Sequence, residues 1–248
     1  PTTPRRQRQM CIRDRYMRKL QLIYFNLRAL CEAPRMMLHN AEIEYSYEMA
    51  WNYFKKPWSE IKKDVIFHKL PLLVIDEKIE IWQSNTISRY IAKITNNIPD
   101  NDEMAAYADS IFESAHDLFL PLNPTINVWV GEMHLKNKKD LIEKILPKAF
   151  NNFEKLLDKY EGKFFLGDRV FYCDYNVYHH ISLALILDQN ILDNYTNLKR
   201  FMNDFEKIKG ISEYLNSRPK LIDIGTWPKV IIDGIEYTSG TNPDYKYQ

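Results

Sequence analysis

The hydrophobic period of this chain changes once, and that change limits the fold more than any other feature. The change falls at Asn96-Asn97-Ile98-Pro99-Asp100-Asn101, a linker by composition. Before it, short apolar runs alternate with helical spacing. Lys19–Phe25 (KLQLIYF) predicts a short buried strand. Residues 30–40 follow with helical spacing through Leu30, Cys31, Pro34, Met37 and Leu38. Pro34 falls in the first turn or so, where a missing N–H costs little. Ile43–Tyr47 alternates as a second strand, and residues 50–69 are irregular. Leu72–Ile75 and Ile79–Trp82 flank Asp76-Glu77-Lys78 as two strands around a hairpin turn, and Ser84–Ile94 predicts a helix. Strand, helix, strand, hairpin and helix in about 80 residues make a compact α/β unit.

Beyond the linker every long pattern is helical. Met104 to Phe119, Leu141 to Tyr160, Val177 to Leu185 and Phe201 to Leu215 each carry one apolar stripe. The expected division is therefore an α/β domain at 17–96, a linker at 97–102 and an all-α domain at 103–218. From 219 to 248 the signal fades into a tail.

Charge and cysteine content narrow the function. The formal charge of +1 conceals a basic start: Arg5, Arg6, Arg8, Arg13 and Arg15 against Asp14 give residues 1–16 a charge of +4. The other 232 residues sum to −3, a mildly acidic body that argues against nucleic-acid binding. Residues 1–16 have no helical or strand period. Three readings compete: a basic nucleic-acid arm, an Arg-rich transit peptide, and the translated adapter sequence that RRQRQMCIRDR resembles. The last places these residues outside the native fold as a disordered segment, with Met17 as the native start. No apolar run reaches the ~18–20 residues that span a bilayer, so no membrane association is expected. Three scattered cysteines, Cys11, Cys31 and Cys173, make neither a disulfide framework nor a zinc site, and a cytoplasmic setting is the default. His116 and His179-His180 lack metal-ligand spacing, so no metal is expected.

Four stretches sharpen the α/β-then-α order: IYFNLRALCEAPRMML, WSEIKKDVIFHKLPLLVID, WQSNTISRYIA and FLGDRVFYCDYNVYHHI. Over residues 19–218 they resemble the cytosolic glutathione S-transferases, sigma-like with mu and pi features. The most specific combination is Leu70-Pro71 followed twelve residues later by Gln83-Ser84 and a helix ending RYIA. The resemblance implies a thioredoxin-like N-terminal domain (βαβαββα), an all-helical C-terminal domain and a homodimer. It implies glutathione as co-substrate with no other cofactor, and small hydrophobic electrophiles as the second substrate, in detoxification.

The resemblance also assigns residues. Tyr24, closing the first strand, is the expected catalytic phenol that stabilises the glutathione thiolate. A free thiol titrates near 8.5, and lowering it by about two units takes roughly 2.7 kcal/mol of preferential stabilisation. Gln83 and Ser84, where a strand passes into a helix, are expected to take the γ-glutamyl carboxylate, since a helix N-terminus offers unpaired N–H groups and partial positive charge. Ser84 also suits a plain N-cap. Pro71 is expected in cis, letting the Leu70 backbone pair with the cysteinyl backbone of glutathione. Trp58 and Lys62 match the family's W-x-x-x-K, with Lys62 at the glycyl carboxylate. Lys69 stands where the family often has Gln. Arg28 and Phe25 are supporting residues after the strand, Phe25 as a wall of the electrophile pocket. Residues near Leu118–Asn127 form another wall. Asp109, Glu113 and Asp117 form an acidic ladder, with Asp117 expected to face glutathione in the other subunit. Phe67 is the expected dimer contact, an apolar side chain in a polar loop. Asp174 should support a helix start whose capping Ser or Thr is replaced by Phe171. Two other functions share this fold: a glutathione-dependent isomerase of prostaglandin-synthase type, and a non-catalytic ligand-binding or structural protein.

Overall fold

The computed structural model describes residues 18–25, 27–129, 131–218, 230–232 and 235–237. The expectations for residues 1–16, and most of that for 219–248, lie outside the described residues.

The sheet is built around two strands that are apolar on both faces. β1 (Leu20–Tyr24) pairs antiparallel with β3 (Leu72–Ile75), with Leu22 opposite Leu73 and Ile23 opposite Leu72. Leu22, Ile23, Leu72 and Leu73 are fully buried, which is why β3 reads as an unbroken apolar run and β1 is interrupted only by the half-buried Gln21. β2 (Ser46–Met49) joins β1 in parallel, and β4 (Ile79–Trp82) joins β3 antiparallel, giving the order β2-β1-β3-β4. The parallel step needs a crossover, supplied by α1 (Glu32–Asn40) after a 3-10 turn at Ala29–Cys31.

Two details differ from the sequence reading. The second strand begins at Ser46, three residues later than Ile43, because its register is set by Gln21 opposite Ser46 and not by the alternation around Ile43. Ile43 is buried in the approach to the strand. The irregular stretch holds two short helices, α2 (Ala50–Phe54) and α3 (Trp58–Ile61), and 3-10 turns at Lys62–Asp64 and Ile66–His68.

α4 (Ser84–Ile94) lays Ile87, Ile91 and Ala92 on the sheet side and leads into the helical half. α5 (Asp102–Asn127) starts where the Asn101 side chain accepts from the Met104 N–H at 2.9 Å. It runs through Pro121 and Pro124, whose missing N–H groups leave the Asp117 and Leu120 carbonyls without helical partners. Both of those residues are exposed, so solvent can serve the freed carbonyls. α6 (Gly131–Asp140), a π turn at Leu141–Ile145, α7 (Leu146–Leu157) and α8 (Tyr172–Leu187) follow. The last stripe divides into α9 (Thr196–Glu206) and α10 (Lys209–Ser217). In the segment expected as a tail, Val230–Ile232 and Ile235–Tyr237 pair as short antiparallel strands.

α8 is buried along nearly its whole length and packs most heavily on α5. The helical half meets the sheet domain through α1, which packs against α8 and α10. Gly210 shows how close this approach is: a Cβ there would lie 2.9 Å from the Asn40 Cα and 2.7 Å from its Oδ1.

Candidate functional site

The site forms where the sheet's central strands end against α4 and α5. The register of β1 and β3, with Ile23 opposite Leu72, sets Tyr24 across from Pro71. The Leu70-Pro71 bond is cis. Tyr24 is 6% exposed, and its ring lies 5.3 Å from that of Phe25. Phe25 meets Trp58 edge-on at 5.4 Å. These three rings form one layer, with Trp58 supplied by the first residue of α3.

A cavity of about 170 Å³ is lined by Lys69, Leu70, Pro71, Gln83 and Ser84, together with Phe67; Tyr24, Phe25 and Trp58 are not among its lining residues. The fold thus brings together five residues that the sequence assigns to glutathione, with Phe67, the expected dimer contact, alongside them. Gln83 holds a left-handed φ of 72°, which turns the chain from β4 into α4. Its carbonyl accepts the Ile87 N–H at 2.9 Å, so Ser84, Asn85 and Thr86 carry the N–H groups that have no carbonyl one turn earlier. With Lys69 also lining the cavity, this corner suits a carboxylate.

Leu30, Trp82 and His116 also line the cavity and were not singled out for it from sequence. Trp82 ends β4 directly before Gln83, whose left-handed turn breaks the strand's alternation of faces, so local pattern gives no signal for it. His116 has no local pattern that marks it as a wall residue; it reaches the cavity from the middle of α5. Phe119 and Leu120 complete the wall from within the expected segment 118–127.

Other residues lie elsewhere. Lys62 is exposed after α3, and its carbonyl is 3.0 Å from the His68 Nδ1. Arg28 is mostly buried, with its Nε 3.9 Å from the Glu32 carboxylate. The acidic ladder is split. Asp109 takes the Arg89 guanidinium through Nε at 2.8 Å and Nη2 at 3.1 Å, and Glu113 pairs with the same guanidinium. Asp117, a turn further on, lines a second and larger cavity of about 440 Å³ between α5 and α7. Its apolar walls are Leu118, Ile145, Ala149, Phe153 and Leu156, and Lys144 and Lys148 stand at its edge.

A four-stranded mixed sheet with a cis-proline opposite a strand-end tyrosine, followed by a helical half, defines a thioredoxin-like domain joined to an all-helical one. The family model "Glutathione S-transferase, N-terminal domain" matches residues 20–93, and "Glutathione S-transferase, C-terminal domain" matches residues 116–218. Glutathione S-transferase P 10 of Caenorhabditis elegans is 28% identical over 198 residues, covering 80% of this chain and 91% of that protein. Glutathione S-transferase Mu 3 of Homo sapiens is 31% identical over 201 residues, covering 78% and 86%. The solved pi-class glutathione S-transferase of Onchocerca volvulus superposes with a TM-score of 0.71 at 29% identity, over 81% of this chain and 93% of that one. This chain belongs to the glutathione S-transferase family.

Proposed function

We propose that this transferase activates glutathione through Tyr24 and delivers the thiolate to small hydrophobic electrophiles, as a cytoplasmic detoxifying homodimer. The observation that carries the reading is the placement of Tyr24 across from the cis Leu70-Pro71 bond, with Leu70 and Pro71 lining one cavity with Gln83 and Ser84. A peptide anchored by its γ-glutamyl carboxylate at that corner and by its backbone at Leu70 has its sulfur near the end of β1. A phenol there donates a hydrogen bond to the thiolate and favours the charged form. Trp58 and Lys62 serve the glycyl end, and Lys69 adds positive charge. The two domains divide at 97–102.

The homodimer reading draws on two features. Phe67 is 57% exposed, in a left-handed conformation at φ 63°. The cavity between α5 and α7 offers a mostly apolar seat, and Asp117 lies on its wall. Phe67 is four residues from Pro71, about 14 Å of chain at most. Seating it in a second copy therefore carries the first copy's glutathione cleft towards the second copy's Asp117, which meets the glutathione amine.

Tyr24→Phe tests the chemistry. Titrating bound glutathione by thiolate absorbance should show the thiol pKa raised and turnover reduced, with glutathione affinity little changed. An unaltered thiol pKa would remove Tyr24 from the mechanism.

A further inference from the structure

The residue that follows the proposed phenol is tied down by a side chain from the neighbouring strand. Tyr47 lies in β2, opposite Leu22 of β1. Its hydroxyl donates to the Phe25 carbonyl at 2.7 Å and lies 3.2 Å from that of Leu27. The Phe25 carbonyl also accepts the Leu27 N–H at 2.7 Å. One phenol therefore fixes the backbone just after Tyr24.

The tie has its own support. The Arg35 guanidinium lies 4.4 Å over the Tyr47 ring, and Arg35 is held in turn by Glu32, with Nη1 3.6 Å from the carboxylate. The Tyr47 ring is thus clamped from α1 while its hydroxyl faces the loop. Burial of the hydroxyl end pushes this phenol well above its ordinary range, so it stays a donor across the pH range of any transferase assay.

We infer that Tyr47 is a positioning residue for the transferase reaction, acting on Tyr24 through the Phe25 carbonyl and ring. Fixing that carbonyl restricts the Phe25 backbone dihedrals and hence its ring, which packs 5.3 Å from the Tyr24 ring and 5.4 Å from Trp58. The Tyr24 phenol is thereby held against the neighbouring Phe25 ring. A hydrogen bond to a thiolate weakens steeply when its donor loses alignment. The inference rests on the reading of Tyr24 as the thiolate-stabilising phenol.

Tyr47→Phe removes one oxygen and keeps the ring on Arg35, so the fold persists, as circular dichroism would confirm. Its turnover should fall roughly tenfold, in the range expected of a slight misplacement of a reacting group. The glutathione KM should stay within about twofold, because no glutathione contact is assigned to Tyr47. The bound-thiol pKa should move towards the Tyr24→Phe value, and Tyr24→Phe/Tyr47→Phe should be no worse than Tyr24→Phe alone. Replacing Tyr47 with 4-aminophenylalanine restores a donor at the same place and should recover both readouts. If Tyr24→Phe loses thiol acidity while Tyr47→Phe keeps it, with turnover intact, Tyr47 is a tie of the fold only and the inference is overturned. If Tyr24→Phe itself leaves the thiol pKa unchanged, the reading of Tyr24 fails first and the positioning role goes with it.

Discussion

Glu32 shows how much one buried charge can hold. It is fully buried, yet its carboxylate accepts from the Tyr214 hydroxyl at 2.9 Å and pairs with Arg218, while Arg35 and Arg28 lie at 3.6 and 3.9 Å. Three guanidinium groups from two halves of the chain thus meet at a single acid. Removing one partner of a buried ionic cluster costs about 3–5 kcal/mol, because the remaining charges are left uncompensated. Glu32→Ala should therefore lower stability by about that amount, read as a shift in the urea midpoint; a loss under 1 kcal/mol would mean the arginines find other partners or solvent. Arg28, Glu32 and Arg35 were visible in sequence at helical spacing. Their convergence with Tyr214 and Arg218 was not, since those lie 182 and 186 residues from Glu32 and only the packing of α10 on α1 brings them in. The same limit hid the link from Tyr47 to Phe25, which depends on strand register and leaves no mark in local pattern.

At the scale of the element, α8 carries two opposed pH responses. Asp174 accepts from the Phe171 N–H at 2.7 Å and the Phe165 N–H at 3.1 Å, replacing the hydroxyl cap that Phe171 cannot provide. Burial outweighs those donors and pushes its carboxyl up to about 7. Between about pH 4 and 7 the native state keeps a proton that the unfolded chain has released, so this residue's contribution to stability falls as pH rises. Five residues on, burial pushes His179 down to about 3, and His180 is also held well below its ordinary value by burial. Between about pH 3 and 6.5 the unfolded chain binds protons that these histidines refuse, so their contribution rises with pH. Two histidines against one carboxyl predict a melting temperature that climbs from pH 4 to 6.5, and Asp174→Asn should steepen the climb. Curves that run parallel for wild type and variant would show that Asp174 titrates normally. The elements themselves were legible where burial leaves an apolar pattern: β1 and β3 as apolar runs buried on both faces, and α4, α5 and α7 as stripes with one face buried. α6 was missed because none of its residues is buried, which leaves no stripe to find. The break between α9 and α10 was missed because the stripe passes through Lys207 and Ile208 without changing period.

For the whole molecule, the two cavities and the exposed Phe67 make one connected prediction. A large aromatic side chain left 57% exposed at the cavity lined by Gln83 and Ser84 forgoes burial that contributes roughly 1.5–3 kcal/mol. In a two-fold pair that contact occurs twice, so its loss is felt twice. Phe67→Ser should therefore weaken association markedly, seen as a shift from dimer to monomer in sedimentation velocity. Asp117→Ala should behave differently. Asp117 is exposed on the wall of the cavity between α5 and α7, and its removal takes away a charge but little apolar area. The dimer should persist while glutathione binds more weakly, as read by calorimetric titration. Lys144 and Lys148 line the same cavity, so Lys148→Ala serves as a control that alters charge there without removing the acid. The distinguishing result is the pairing of the two losses. If Phe67→Ser turns a dimer into a monomer and glutathione affinity falls to the level of Asp117→Ala, the partner completes each site. If the wild-type protein sediments as a monomer and binds glutathione tightly, the shared-site arrangement is wrong, and Asp117 is no more than a charge on the wall of an α5–α7 groove.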